Sequence, residues 1–127
     1  MYTIESDKNV KPEEIIFVRE ETLNEENISL WRKCIEQSLC VISARDKSGQ
    51  LVGIGFLVGN QRHGELVDLS VHPSVRQKGI GGQIVKSLVA AADSMSIKYF
   101  GLTWDTSKPW LKSFYEKNGF KQIDFGM

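Results

Sequence analysis

The stretch Asp68-Leu-Ser-Val-His-Pro-Ser-Val-Arg-Gln-Lys-Gly-Ile-Gly-Gly-Gln-Ile-Val85 constrains this chain more than any other. A β-like run stops at Pro73, passes through a basic, glycine-rich loop and opens directly into a helix. Ile80, Ile84, Leu88, Ala91, Ala92 and Met95 recur at steps of three and four, so one face of that helix is apolar. The unpaired N–H groups of a first helical turn and the positive end of the helix dipole attract phosphate. Arg76 and Lys78 add mobile positive charge. Gly79, Gly81 and Gly82 place no Cβ in the way of a ligand. Each costs about 1 kcal/mol relative to alanine inside a helix, and a plain turn needs only one. The pattern predicts a close approach to the backbone.

The spacing Arg76-x-x-Gly79-x-Gly81 fits neither the Gly-Lys-Ser/Thr ending of a nucleoside-triphosphate loop nor the dinucleotide fingerprint G-x-G-x-x-G. After a strand ending Leu69-Ser70-Val71 it resembles the coenzyme A pyrophosphate loop of the GNAT superfamily of acyl-CoA N-acyltransferases. Further on, Ser113-Phe-Tyr-Glu-Lys-Asn-Gly-Phe120 resembles that family's closing motif. The resemblance covers Leu51 to Phe125 well and the first fifty residues loosely. It implies a GNAT fold of the α/β (α+β) class: a mixed central sheet of about six strands with a splayed parallel pair, flanked by about four helices.

A chain of 127 residues, 41% of them hydrophobic, suits one domain over 1–127. Sixteen basic and sixteen acidic side chains give a formal net charge of zero, which argues against nucleic acid or an acidic membrane surface as partner. No apolar run reaches the length of a membrane span, and the N-terminus lacks the order of a signal peptide, so a cytoplasmic protein is expected. Cys34 and Cys40 form no CxxC pair and lack a nearby histidine partner, so buried free thiols are expected and a metal or disulfide role is not.

Tyr2–Glu5 reads as a first strand. Val10–Glu20 reads as a short helix started by Pro12 with Glu13 and Glu14 in its first turn, and Asn27–Ser38 as a second. In the family this region shapes the acceptor pocket, which makes Glu21, Glu25, Glu26, Trp31 and Arg32 candidates beside the plainer reading of an acidic surface and a core tryptophan. Cys40–Arg45 and Leu51–Val58 form a hairpin across Asp46-Lys-Ser-Gly-Gln50. Asn60–Gly64, with His63 as a surface residue, then turns the chain into a strand over Glu65–Val71. After the central helix, Lys98–Trp104 reads as a parallel neighbour of Glu65–Val71. Pro109 opens a last helix, Asn118-Gly119 stops it, and Phe120–Phe125 is the final strand.

Acyl transfer to an amine needs an oxyanion donor, a route for the amine proton and an acid for the departing thiolate. The resemblance implies the backbone N–H of Leu69 as oxyanion donor. It further implies coenzyme contacts from Leu69, Ser70 and Val71, from Arg76, Gln77, Lys78, Gly79, Ile80, Gly81 and Gly82, and from Tyr115, which would also protonate the thiolate. Glu65 falls in the alternation class of Val67, Leu69 and Val71. It is thus a carboxylate in an apolar row whose pKa rises if buried, and the first candidate for general base. Asp68, expected on the opposite face, is the second. Lys108 and Leu111 depart from the family's usual asparagine and small alanine. The activity implied is acetyl transfer from acetyl-CoA, without a metal, to a primary amine of a small molecule by direct attack, from a monomer or homodimer. A catalytically silent acyl-CoA-binding or regulatory domain, a protein N-terminal or lysine acetyltransferase, and a nucleotide-phosphate module are the alternatives.

Overall fold

The computed structural model describes residues 1–103 and 107–121. Among the described residues five strands form one sheet in chain order: β1 (Tyr2–Ser6), β2 (Cys40–Asp46), β3 (Leu51–Gly59), β4 (His63–Val71) and β5 (Tyr99–Gly101). The first four are antiparallel neighbours, and β5 runs parallel to β4. Trp104 and most of the expected final strand, Phe120–Phe125, lie outside the described residues.

Helices α1 (Pro12–Arg19) and α2 (Glu25–Gln37) cover one face of the sheet, and α3 (Ile80–Ser94) covers the other. α1 starts where the sequence predicts, with Pro12 in its first turn and the Glu14 carboxylate accepting the Lys11 backbone N–H at 2.9 Å. α2 is capped by Asn24, whose side chain accepts the Asn27 N–H at 2.8 Å. Its Trp31 and Ile35 are buried with Ile15, Val18, Val41 and Phe56. On the other face Ile80, Ile84, Val85, Leu88 and Ala92 of α3 pack on Ile42, Ala44, Val52, Leu57 and Leu66. That approach is close because β3 carries glycine beneath the helix. A Cβ on Gly55 would sit 2.8 Å from Ile84 Cγ2 and 2.9 Å from Leu88 Cδ1.

The Asp46–Gln50 connection makes the expected hairpin, with the Asp46 carboxylate accepting the Ser48 and Gln50 N–H groups and Gly49 at φ +89°. His63, expected in the following turn, instead opens β4 and stacks on Tyr99 of β5 at 5.2 Å. The turn closes earlier because Asn60 Oδ1 accepts the Arg62 and His63 N–H groups.

Candidate active site

β4 and β5 pair only from His63–Tyr99 to Glu65–Gly101. Beyond Glu65, β4 continues for six residues with no partner on that side among the described residues. This is the splay implied by the resemblance. Within it, Phe56 of β3 faces Val67 and Ile54 faces Ser70, so Asp68 and Leu69 together oppose the single residue Gly55. A β-bulge of this kind adds a residue and re-aims the strand. Asp68 takes φ +52°, a left-handed conformation that costs on the order of 1 kcal/mol in a side-chain-bearing residue.

The bulge corrects the expected alternation. Val67 packs with the α1/α2 core, whereas Leu69 and Val71 pack on the α3 side. Glu65 faces Val58 across β3 and shares the α1/α2 face with Val67, so it does not stand in one row with Leu69 and Val71. Glu65 is also exposed, not enclosed in an apolar row as the alternation suggested. Asp68 was expected on the opposite face from Glu65. The extra residue turns it toward α1, where its Oδ1 lies 3.9 Å from Arg19 Nη1. Both carboxylates therefore look out from the same side of the sheet, into different recesses.

Glu65 lines a broad open cleft of about 1290 Å³ together with His63, Tyr99, Thr103, Lys112 and Tyr115. Tyr115 is half-buried on α4 (Trp110–Lys117), with ring contacts to Phe114 at 5.1 Å and Phe120 at 6.1 Å. Burial pushes its phenol above the usual value. Tyr115 thus stays protonated at neutral pH, the form in which it donates a proton. Asp68 instead borders a smaller cavity of about 190 Å³ with Cys34, Gln37, Phe56, Val58 and Val67. Burial, and then the charge of Asp68, raise the pKa of the Cys34 thiol. Cys34 and Cys40 are both free thiols, but only Cys40 is buried as expected; Cys34 is partly exposed beside this cavity.

The loop lies at the other end of β4. His72 Nδ1 accepts the Ser74 N–H at 3.2 Å, Pro73–Val75 form one 3-10 turn, and Arg76 Nε donates to Val71 O at 3.1 Å. Gln77 at φ +67° and Gly79 at φ +79° then swing the chain into α3. A Cβ at Gly79 would meet nothing within 4 Å. At Gly81 it would lie 3.3 Å from the Phe114 ring, and at Gly82 3.4 Å from Asn118 Oδ1. The close approach predicted for these two glycines is thus made, at the Cβ side, by the closing motif on α4. Gly79 is the position open to a ligand. The Ile80 side chain is buried in the core, so only its backbone is available to a ligand.

Sequence reasoning missed Arg19. It donates from Nη1 to Ser70 Oγ at 2.7 Å and from Nε to Glu21 Oε2 at 2.8 Å, and lies 5.1 Å over the Trp31 ring. Trp31 is a core residue stacked on Phe56, but its indole N–H donates to Glu21 Oε1 at 2.7 Å. Burial pushes the Glu21 carboxyl up, yet the hydrogen bonds from Arg19 and Trp31 outweigh it and hold its pKa below the usual range. Glu25, Glu26 and Arg32 are exposed. No period marks Arg19, because its partner Ser70 lies 51 residues away.

A family described as "Acetyltransferase (GNAT) domain" matches residues 36–122, more than half of the chain. The chain belongs to the GNAT acetyltransferase family. A GNAT family acetyltransferase from Streptococcus pneumoniae TIGR4 is 24% identical with a TM-score of 0.81, over 100% of this chain and 96% of that one. A GNAT family acetyltransferase from Elizabethkingia anophelis, solved with acetyl-CoA bound, is 19% identical with a TM-score of 0.77, over 97% and 78%. Glucosamine-6-phosphate N-acetyltransferase from Arabidopsis thaliana is 16% identical with a TM-score of 0.75, over 100% and 96%. No match is found among curated protein sequences. At these identities the solved structures show the shared GNAT fold, with its mixed sheet and parallel β4–β5 pair. No helix among the described residues is long and apolar enough to cross a membrane.

Proposed function

We propose that this GNAT domain transfers an acetyl group from acetyl-CoA to the primary amine of a small molecule by direct attack. The observation that carries this reading is β4 itself: released from β5 after Glu65, bulged at Asp68 and delivered to the N-terminus of α3. The acetyl-CoA bound to the Elizabethkingia relative supports the choice of cosubstrate. The amino sugar named for the Arabidopsis relative supports a small amine.

An extended ligand beside the splayed strand meets the backbone of Leu69, Ser70 and Val71 as an added strand does. The backbone N–H groups of Gln77, Lys78, Gly79, Ile80, Gly81 and Gly82 hold the pyrophosphate, with Arg76 and Lys78 adding charge. Acetyl-CoA supplies the activated thioester. The Leu69 N–H stabilises negative charge developing on the carbonyl oxygen. Glu65 accepts the amine proton through water, and Tyr115, which shares its cleft, returns a proton to the thiolate as the C–S bond breaks. Asp68 is the second candidate for base.

The test is thermal stability with acetyl-CoA against ATP, followed by thiol release on a panel of amines. A ligand that binds only the native state raises the melting temperature. Acetyl-CoA should do so and ATP should not; an equal shift from ATP would favour a nucleotide module. Coenzyme binding without turnover on any amine would leave a silent acyl-CoA-binding domain. Gly81→Asp should remove the acetyl-CoA shift. Gly81→Ala, which adds the same Cβ 3.3 Å from the Phe114 ring without charge, should keep it.

A further inference from the structure

We propose that Arg19 is a positioning residue that holds the Asp68 bulge, and through it the Leu69 amide, in the geometry that acetyl transfer needs. This rests on the oxyanion role given to Leu69 above.

Arg19 touches the residues on both sides of Leu69: it donates to Ser70 Oγ at 2.7 Å and stands 3.9 Å from Asp68 Oδ1. Ser70 Oγ donates in turn to Asp68 O at 3.3 Å, so the hydroxyl spans the bulge. Leu69 itself is anchored on the other face, where its Cδ1 lies among the groups packed above Gly55 with Ile84 and Leu88. The peptide between Asp68 and Leu69 is thereby gripped from both sides of the sheet. The grip matters because Asp68 is held at φ +52°, which the bare strand would relax.

Arg19 is fixed in its turn. Its Nε donates to Glu21, Glu21 accepts the Trp31 indole N–H, and Trp31 stacks on Phe56 at 5.6 Å. Phe56 is the β3 partner of Val67, the residue just before the bulge. The contacts thus close a ring that leaves β4 at Asp68 and Ser70 and returns to it at Val67. An isolated surface ion pair has no such closure and is worth little.

The test compares wild type, Arg19→Ala, Arg19→Lys and Ser70→Ala by three readouts: kcat, the acetyl-CoA dissociation constant, and the backbone amide resonances of Asp68, Leu69 and Ser70. Arg19→Ala should lower kcat by about tenfold to hundredfold, the range a small misplacement of a reacting group produces, with coenzyme affinity within about twofold. The three amide resonances should shift or broaden while those of Arg76–Gly82 stay in place. Arg19→Lys should fall between, because one ammonium cannot serve Glu21 and Ser70 in the guanidinium's fork. Adding Ser70→Ala to Arg19→Ala should cost little more, since the two act through one network. If Arg19→Ala does not fold, Ser70→Ala carries the same three readouts alone. Wild-type kcat and unmoved Leu69 amide in a folded variant would overturn the proposal. If the wild type acetylates no amine, the function proposed above fails, and the amide resonances still decide whether Arg19 holds the bulge.

Discussion

The two ends of α1 carry the same ingredients, one arginine and two carboxylates, and put them to different uses. At the N-terminal end Arg45, from β2, donates to both oxygens of Glu14 at 2.6 and 3.1 Å and to Asp7 at 3.4 Å. With a further bond from Arg45 Nη1 to Gly49 O at 3.0 Å, the set ties the first turn of α1 to the sheet and its hairpin. At the C-terminal end Arg19 divides its donors between Glu21 on the α1–α2 connection and Ser70 in β4, and keeps Asp68 only at 3.9 Å. The Asp68 side chain is 45% exposed against 13% for Asp7, so it is the less enclosed of the two carboxylates. An arginine that saturates its partners holds a fold together. One that spans a strained strand sets the shape of that strand. The first end should therefore govern stability and the second activity.

The largest effect should come from Tyr115→Phe, which touches neither end of α1 and shows what loss of proton donation alone looks like. Turnover should fall about 10²-fold or more, the usual contribution of general acid catalysis, with coenzyme affinity nearly unchanged. Steady-state kinetics with a coenzyme titration measures both. Wild-type turnover would return Tyr115 to the packing of Phe114 and Phe120.

Next in size is the pair Glu65→Gln and Asp68→Asn. Glu65 shares its cleft with Tyr115, whereas Asp68 is turned toward Arg19. Glu65→Gln should lower kcat/KM about tenfold near neutral pH, a modest loss because water can partly replace a base acting through water. It should also erase the acidic limb of the pH profile, because an amide does not titrate. At high pH the amine arrives neutral and the defect should shrink. Asp68→Asn should lower kcat evenly across pH, as a bulge displaced by loss of its ion pair would. A lost acidic limb in Asp68→Asn with a retained one in Glu65→Gln would exchange the two roles and break the comparison at its active end.

The sequence exposed those parts of the fold that repeat locally. The apolar stripe of α3, Pro12 at the start of α1 and the Asp46–Gln50 hairpin all follow from residues a few positions apart, and the glycine loop with Phe114-Tyr115 marked the family. The bulge was hidden because Glu65, Val67, Leu69 and Val71 alternate without a break, and the left-handed residue that shifts the register is an aspartate, not a glycine. Gly81 and Gly82 were legible as a place of close approach, but not as one where the approaching atoms belong to Phe114 and Asn118. Arg19 and Trp31 read as the end of a helix and a core residue. Their meeting with Glu21 and Ser70 depends on how α1 crosses β4, which no spacing records.

The smallest effect lies at the N-terminal end of α1 and should appear in stability alone. The Arg45 hydrogen bond, foremost, holds the Glu14 carboxyl below the usual glutamate range, against the opposing effect of burial. A carboxyl whose folded pKa lies below its unfolded one adds stability that is complete above the unfolded value and lost as pH falls through the folded one. Glu14→Gln removes that contribution. It should cost about 1 kcal/mol at pH 7, the scale of a well-formed but partly exposed charged pair, or about 4 °C in melting temperature for a domain of this size. The gap between wild type and variant should narrow as pH is lowered through the carboxylate range, which denaturant melts at neutral and acidic pH would measure. Turnover at pH 7, well below the melting temperature, should stay at the wild-type level, because Arg45 and Glu14 reach neither β4 nor the loop. A variant that kept its stability and lost turnover would show that both ends of α1 feed the site, and the division between them would fall.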